Sequence, residues 1–397
     1  MEQIDKKMCI KESGFTLIEL IISLAIFGIL MTMVFNTFIP VMQTNSRQGG
    51  ISETKIETGI GLDLLRADLE HAGFGLPWMF PAGGVPNPYS EPAAPATTND
   101  ALTKAVPRAL TSMDATTIGL NNGSDYLAIK ALNVARGVSS QKWGWLGRDA
   151  AHNASVQSMG AEAFDVANDW VIAIRSEVTP GENRQLVLVG AGLNNFYAKP
   201  TSIALDPFAP LATANDPDGD RYILYGLVSN TPPVAPKRPF NRTDYYINNA
   251  VVPAHCAPGT GTLTKAVLNQ SDDSFDDMLP IIDCVADFQV VYYLDTNGDG
   301  GWDPPRSNAN GLAGLTAEQI RNQVKSIRCY ILTHEGGVDR NYTYPNATIN
   351  VGDVSDDNTT LNAGRTFNLS TLPGIGATWA NYRWKVYSLA VTPRNLQ

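Results

Sequence analysis

Positive charge is scarce in this 397-residue sequence, and charge of either sign is low. Charged residues make up 17%, against roughly 25% in a typical soluble domain. The 29 Lys and Arg are outnumbered by 39 Asp and Glu, which gives a formal net charge of -10. That sign opposes nucleic-acid binding, where a basic surface must neutralise phosphate. There are only four cysteines, so the chain is not a disulfide-dense miniprotein. No C-x-x-C occurs and the four histidines are scattered, which speaks against a zinc site. With no Gly-X-Y period and no sustained heptad pattern, collagen and coiled coil are excluded. Catalytic signatures are also missing: G-x-S-x-G, H-E-x-x-H, a P-loop and a complete G-x-G-x-x-G are all absent. His334-Glu335 has no second His at helical spacing and reads as an exposed turn pair. Trp143 and Trp145 read as strand-edge packing rather than a ligand platform. The chain is therefore not expected to be an enzyme. Hydrophobic residues reach 44%, enough to build a core and to exclude wholesale disorder.

What is present is concentrated at the start. Residues 15–41 read FTLIELIISLAIFGILMTMVFNTFIPV, long enough to cross a bilayer core of about 30 Å as a helix. Lys6, Lys7 and Lys11 precede this run and no cation follows until Arg47, which predicts a cytoplasmic start and an exported remainder. A cleaved secretory signal would have a shorter apolar core and a small-residue site on its far side, and no A-x-A-like site precedes Pro40. A plain anchor fits the hydropathy but leaves Glu19 unexplained. A carboxylate inside a membrane segment costs on the order of 3 kcal/mol and points to function.

The heptapeptide Gly14-Phe15-Thr16-Leu17-Ile18-Glu19-Leu20 resembles the prepilin motif of type IV pilins and type II secretion pseudopilins. The resemblance implies that a prepilin peptidase cuts between Gly14 and Phe15 and methylates the new amine of Phe15. It also implies that Glu19 pairs with the terminal amine of a neighbouring subunit during assembly. Two opposite charges in a low-dielectric bundle compensate each other where one alone would be costly. In the leader, Glu2, Asp5 and Glu12 balance the three Lys, so the mature chain keeps the net -10.

Beyond the span, Pro40 predicts a kink, and Gly49-Gly50 a loosening of the helix. Leu62, Leu65, Leu69 and Ala72 form one apolar helical stripe, suited to packing against a globular head. Gly73-Phe74-Gly75-Leu76-Pro77 ends the helix. The expected organisation is a leader over 1–14, an apolar helical half over 15–41, an amphipathic half over 42–72 and a β-rich head over 73–397. The region 77–110 reads as a long Pro- and Ala-rich loop. Strand-like runs follow at 125–130, 170–175, 185–189, 222–228, 243–247, 284–294, 324–333 and 382–392. Phe288, Val290, Tyr292 and Leu294 alternate onto one face, as a half-buried strand requires. Few helical patterns separate these runs, so antiparallel pairing is expected. The fold class is α+β and pilin-like: a long N-terminal helix packed on a large antiparallel head.

The head also resembles PilW-type minor pilins. The carrying segments are Leu64-Leu65-Arg66-Ala67-Asp68-Leu69 with Ala72-Gly73, Gly123-Ser124-Asp125, Asn241-Arg242-Thr243-Asp244-Tyr245-Tyr246, Cys284-Val285-Ala286-Asp287-Phe288-Gln289-Val290, and the ending from Tyr382-Arg383 through Pro393-Arg394-Asn395. The resemblance implies a minor pilin that initiates or caps a type IV pilus. Its partners would be prepilin peptidase, other minor pilins, the major pilin, the inner membrane and a tip adhesin. Its head would be periplasmic before assembly and at the cell surface afterwards. A J-type pseudopilin at the tip of a type II secretion system is the alternative, although that family usually has a smaller head. A membrane-anchored periplasmic enzyme or ligand-binding protein is a third reading.

Cys9 lies in the leader, while Cys256, Cys284 and Cys329 reach an oxidising compartment. Three cysteines allow one pair. The resemblance places Cys256 and Cys284 as that pair, across a Gly- and Asp-rich loop. Cys329 alternates with Ile327 and Ile331 and reads as a buried free thiol.

The strongest ligand candidate is Asp295-Thr296-Asn297-Gly298-Asp299-Gly300-Gly301-Trp302-Asp303. Oxygens at loop positions 1, 3 and 5, Gly at 6 and an acid at 9 match the start of an EF-hand-type loop. Asp295, Asn297, Asp299, the Gly301 carbonyl and Asp303 would hold a structural Ca²⁺, with Gly300 permitting the turn. Arg306 replaces the bidentate Glu of position 12, so this is not an EF-hand. The competing reading is a polar hairpin turn, for which Asn-Gly and Asp-Gly are common. Asp216-Pro217-Asp218-Gly219-Asp220 is a weaker echo, with Arg221 in place of the Gly. The Asp272-Asp273 and Asp276-Asp277 run reads as a solvated acidic loop.

Overall fold

The computed structural model describes residues 14, 16–81, 89–93, 95–115, 123–135, 137–148, 154–159, 162–175, 184–188, 195–200, 222–228, 234–250, 252–356 and 360–396. Leader residues 1–13 including Cys9, Phe15 and the 216–220 segment lie outside them. The chain divides into two compact units, Met1–Ser52 and Glu53–Gln397.

One helix, Leu17–Glu70, contributes to both units and is unbroken at Pro40 and at Gly49-Gly50. A proline costs a helix one hydrogen bond and each glycine about 1 kcal/mol, which 54 residues of helix absorb. Within the first unit, Leu17–Ile39 is long and apolar enough to cross a membrane, and none of it is buried.

Within the second unit the helix presents the expected stripe. Leu65, Leu69 and Ala72 are fully buried and Leu62 is packed against them. Thr54, Thr58 and Asp68 are buried too, so the docked face is part polar. At Gly61 a Cβ would collide with the Ile281 carbonyl and sit 2.7 Å from Ile282 Cγ1; the missing side chain is what lets helix and strand approach. The helix ends as the sequence predicts, with Gly73 at φ +82° and its N–H donated to the Lys130 carbonyl at 3.0 Å. From the other end of the chain, Arg394 N–H donates to the Glu70 carbonyl at 3.0 Å.

In chain order the strands are β1 (Leu110–Ala115), β2 (Ser124–Ala131), β3 (Trp143–Arg148), β4 (Ala154–Ser158), β5 (Trp170–Arg175), β6 (Gln185–Leu186) and β7 (Tyr222–Leu227). They continue with β8 (Asn241–Asn248), β9 (Gly261–Leu268), β10 (Phe275–Leu294), β11 (Val324–Glu335), β12 (Thr348–Val354), β13 (Leu361–Asn368) and β14 (Arg383–Val391). A seven-stranded sheet has the order β1-β2-β8-β9-β10-β11-β14, a five-stranded sheet β4-β3-β7-β5-β6, and β12-β13 form a hairpin. Every strand pair among the described residues is antiparallel, as expected. The 77–110 region carries only the 3-10 turns Ala96–Thr98 and Ala101–Thr103 among its described residues.

Four expectations need correction. Phe288, Val290, Tyr292 and Leu294 do share the helix-facing core, but the strand is not half-buried. Val291 and Tyr293 on its other face pack with Val351, Ala363 and Phe367 of the β12-β13 hairpin. Asp276 and Asp277 belong to β10, and Asp273 sits at the turn before it, ion-paired to Lys237 and Arg238. Residues 256–284 hold β9 and the first half of β10, a strand hairpin rather than a loop. Trp143 and Trp145 sit in β3, which has β4 on one side and β7 on the other and is not an edge.

Candidate functional site

The helix start is built by its own sequence. Thr16 N–H and Thr16 Oγ1 both donate to Glu19 Oε2 at 2.9 Å, and Glu19 N–H donates back to Thr16 Oγ1 at 3.4 Å. This reciprocal pair is a capping box, which satisfies backbone donors that the first helical turn leaves open. The T-x-x-E spacing ahead of an apolar run is its sequence signal, and it overlaps the prepilin-like motif. Gly14 is exposed, with nothing near its α-carbon. Glu19 is the one charged side chain in 17–39, and it is exposed. It can cap its own helix or meet a cation from outside.

The loop after β10 is held by its own backbone. Asp295 Oδ1 accepts from Gly298 N–H at 2.6 Å and Oδ2 from Gly300 N–H at 2.9 Å. Asp303 Oδ2 accepts from Thr296 N–H and Oγ1, both at 2.7 Å, and Asn297 Nδ2 reaches Asp303 Oδ1 at 2.8 Å. Lys325 Nζ stands 3.3 Å from Asp295 Oδ2. Burial opposes it, but the Gly298 and Gly300 donors and Lys325 hold the Asp295 carboxyl below its ordinary range. Among the described residues, Asp295, Asp299 and Asp303 do not gather their oxygens around one point. In this arrangement the loop is a self-bonded turn.

Residues 10–35 match the family model described as the prokaryotic N-terminal methylation motif. The chain begins with a prepilin-type segment. No curated protein matches the chain. Among solved structures it is similar to a type IV-like pilin from Thermus thermophilus, with 13% identity, a TM-score of 0.22, and coverage of 65% of this chain and 87% of that one.

Behind the prepilin-type segment, the head residues that carried the second resemblance bond to one another. Asp68 Oδ2 accepts from Tyr245 Oη and from Lys265 Nζ, each at 2.5 Å, and so ties the helix to β8 and β9. The Gly123 carbonyl accepts from Gln289 Nε2 at 2.8 Å, Ser124 Oγ donates to Asp287 Oδ1 at 2.7 Å, and Val290 N–H donates to Asp125 Oδ2 at 2.6 Å. The start of β2 is thereby stitched to β10, which is not its neighbour in the sheet. Arg365 Nη2 closes on Asp287 Oδ1 at 2.5 Å. Arg242 is fully buried, with Asp244 at 2.7 Å and Glu91 at 2.9 Å. Burial disfavours its charge, but Asp244 and Glu91 more than restore it. Glu91 in turn is held down to about 2 by Lys130 and Arg242 against its own desolvation. These side chains hold the fold together.

Cys256 and Cys284 are joined as a disulfide. They group with His255, but both sulfurs are spent in the bond, so the trio is not a metal site. Cys329 is a buried free thiol whose pKa burial pushes up. His334 and Glu335 are not an exposed pair. His334, next to last in β11, is fully buried, accepting Ala257 N–H at Nε2 (2.8 Å) and placing Nδ1 2.9 Å from the Gly336 carbonyl. Burial lowers its pKa from 6.5 to about 4. Glu335 accepts from Tyr387 Oη at 2.8 Å and pairs with Lys385 at 3.2 Å. A cleft of about 520 Å³ lies between Trp78, Arg108 and Glu318, and among the described residues its lining has no His, Cys or Lys. Its buried acid, Asp100, is already bound to Arg108 and Lys130 at 2.5 Å each.

Proposed function

We propose that the protein is a PilW-type minor pilin that helps to initiate or cap a type IV pilus. The observation that carries this reading is the Gly14, Phe15 and Glu19 constellation at the start of an exposed apolar helix. Prepilin peptidase would cut after Gly14 and methylate Phe15. The helix would hold the chain in the inner membrane, with the head in the periplasm, until other minor pilins and the major pilin pack against it. The internally bonded motif residues of the head, and a cleft without a nucleophile–base pair, favour a structural role over a catalytic one. A J-type pseudopilin would share the anchor, but the head unit Glu53–Gln397 is large for that family.

Substituting Glu19 by Ala tests the reading. Cleavage after Gly14 should persist while filament assembly falls; normal piliation in that variant contradicts the assignment. A structural Ca²⁺ at Asp295, Asn297, Asp299, Gly301 and Asp303 is a separate proposal that rests on their spacing. Calorimetric titration of the full chain with Ca²⁺, with and without Asp303→Asn, checks it. Binding that the substitution removes supports the site, and no binding refutes it.

A further inference from the structure

The seven-stranded sheet begins at the edge strand β1, and β1 pairs with β2 in a register that sets Asp114 directly opposite Asp125. Side chains directly opposite in an antiparallel pair share a face, and two like charges there repel. Asp125 is only 1% exposed. Its Oδ2 is taken by Val290 N–H at 2.6 Å, whereas its Oδ1, equally buried, has no hydrogen-bond partner. The Asp114 carboxyl lies within hydrogen-bonding reach of Asp125. Asp114 itself accepts from Asn310 Nδ2 at 2.7 Å on the solvent side of the strand edge.

Among the described residues, the groups that face Asp125 supply no compensating cation. Asp114 approaches from β1, Asp287 and Tyr292 from β10, and Cys329 from β11. Arg365 is committed to Asp287. Burial keeps the Tyr292 hydroxyl and the Cys329 thiol neutral. An ionised Asp125 would be a buried anion beside a second carboxylate, with one oxygen unbonded. A neutral Asp125 removes both problems, because an O–H at Oδ1 donates to Asp114 while Oδ2 still accepts from Val290.

We propose that Asp114 and Asp125 share one proton, and that this proton is a pH-sensitive clasp seating the edge strand β1 on β2. The direction of titration agrees. Burial pushes the Asp125 carboxyl well above its ordinary range; the Val290 N–H pulls it back in part, and Asp114 and Asp287 push it further up. When rising pH removes the shared proton, two carboxylates face each other across the pair. The β1 contacts beyond them then loosen, including Ser112 Oγ to the Ala309 carbonyl and Tyr292 Oη to Ser112 Oγ.

Asp125→Asn copies the neutral acid, since its amide can accept from Val290 and donate to Asp114. In the detergent-solubilised full chain, unfolding is compared for wild type and D125N from acid to alkaline pH. The folded state keeps a proton that the unfolded chain loses near pH 4, so wild-type stability falls as pH rises through that window. The ratio of unfolding constants, wild type over D125N, should climb by up to about tenfold per pH unit until the folded pair titrates. Infrared spectra of the wild type, taken above the pH at which ordinary carboxyls ionise, should show a protonated-carboxyl band that D125N lacks. That spectral arm holds even if the variant folds poorly. A flat ratio together with no such band overturns the proposal. So does a stabilisation by Ca²⁺ or Mg²⁺ that D125N abolishes, because the pair would then hold a cation instead of a proton.

Discussion

Tyr245 Oη donates to Asp68 Oδ2 at 2.5 Å, and with Lys265 Nζ at the same distance it makes a polar clasp inside the apolar seam between helix and sheet. Asp68 lies on the helical face of Leu65, Leu69 and Ala72, one turn from Leu65 and beside Leu69. Burial pushes the Asp68 carboxyl up, and Lys265 and Tyr245 pull it back down. Such a group contributes chiefly by being matched; removing one partner strands the others in the dry interior.

Asp68→Ala should therefore destabilise the head by about 3–5 kcal/mol, because Lys265 is left buried without its anion. Tyr245→Phe should cost less, about 1–2 kcal/mol. Denaturant unfolding of the full chain checks both, and the order of the two losses is the informative part.

Two glycines of the same helix should respond in opposite ways. Gly61 admits β10, and Gly61→Ala would push on the Ile281 carbonyl and Ile282, costing about 1–3 kcal/mol. A Cβ at Gly59 would meet nothing within 4 Å, so Gly59→Ala should stabilise by about 0.5–1 kcal/mol. Thermal unfolding of the two variants beside the wild type makes the comparison.

His334 predicts acid sensitivity. The folded protein keeps the imidazole neutral down to about pH 4, whereas the unfolded chain protonates it near 6.5. Between those values the unfolded state binds the extra proton, so this contribution is complete above about pH 6.5 and is lost as pH falls toward 4. The loss amounts to about 3 kcal/mol. In His334→Gln that slope disappears, and the stability gap between wild type and variant should narrow by about that amount from pH 7 to pH 4. Chemical denaturation at several pH values measures it.

Much of the architecture was legible because it follows from hydrophobic pattern. The apolar run, the Leu62 to Ala72 stripe, the Gly73 stop and the strands at 125–130, 170–175 and 243–247 are all apolar periodicities with turn residues at their ends. The strands that pattern missed bury polar side chains. In β9, Thr262, Thr264 and Lys265 are as buried as the leucines, which hides the alternation. In β12-β13, Gly352 faces Gly364 across the pair, so the strands are held by close backbone approach and carry little apolar signal there. At the candidate sites, the prepilin-like motif pointed to Glu19 and the head's family resemblance to the Cys256–Cys284 pair, but only geometry revealed the Thr16–Glu19 capping box, the buried His334 and the opposed Asp114 and Asp125. Those depend on neighbours brought from distant parts of the chain, or on a second use of a familiar motif.

The central claim is that this chain is a processed prepilin-type subunit, and the most direct test is mass spectrometry of its N-terminal peptide from sheared surface filaments and from membranes. The account predicts a peptide that begins at Phe15 with a methylated amine and is present in the filaments. An intact leader through Gly14 in both fractions would contradict it.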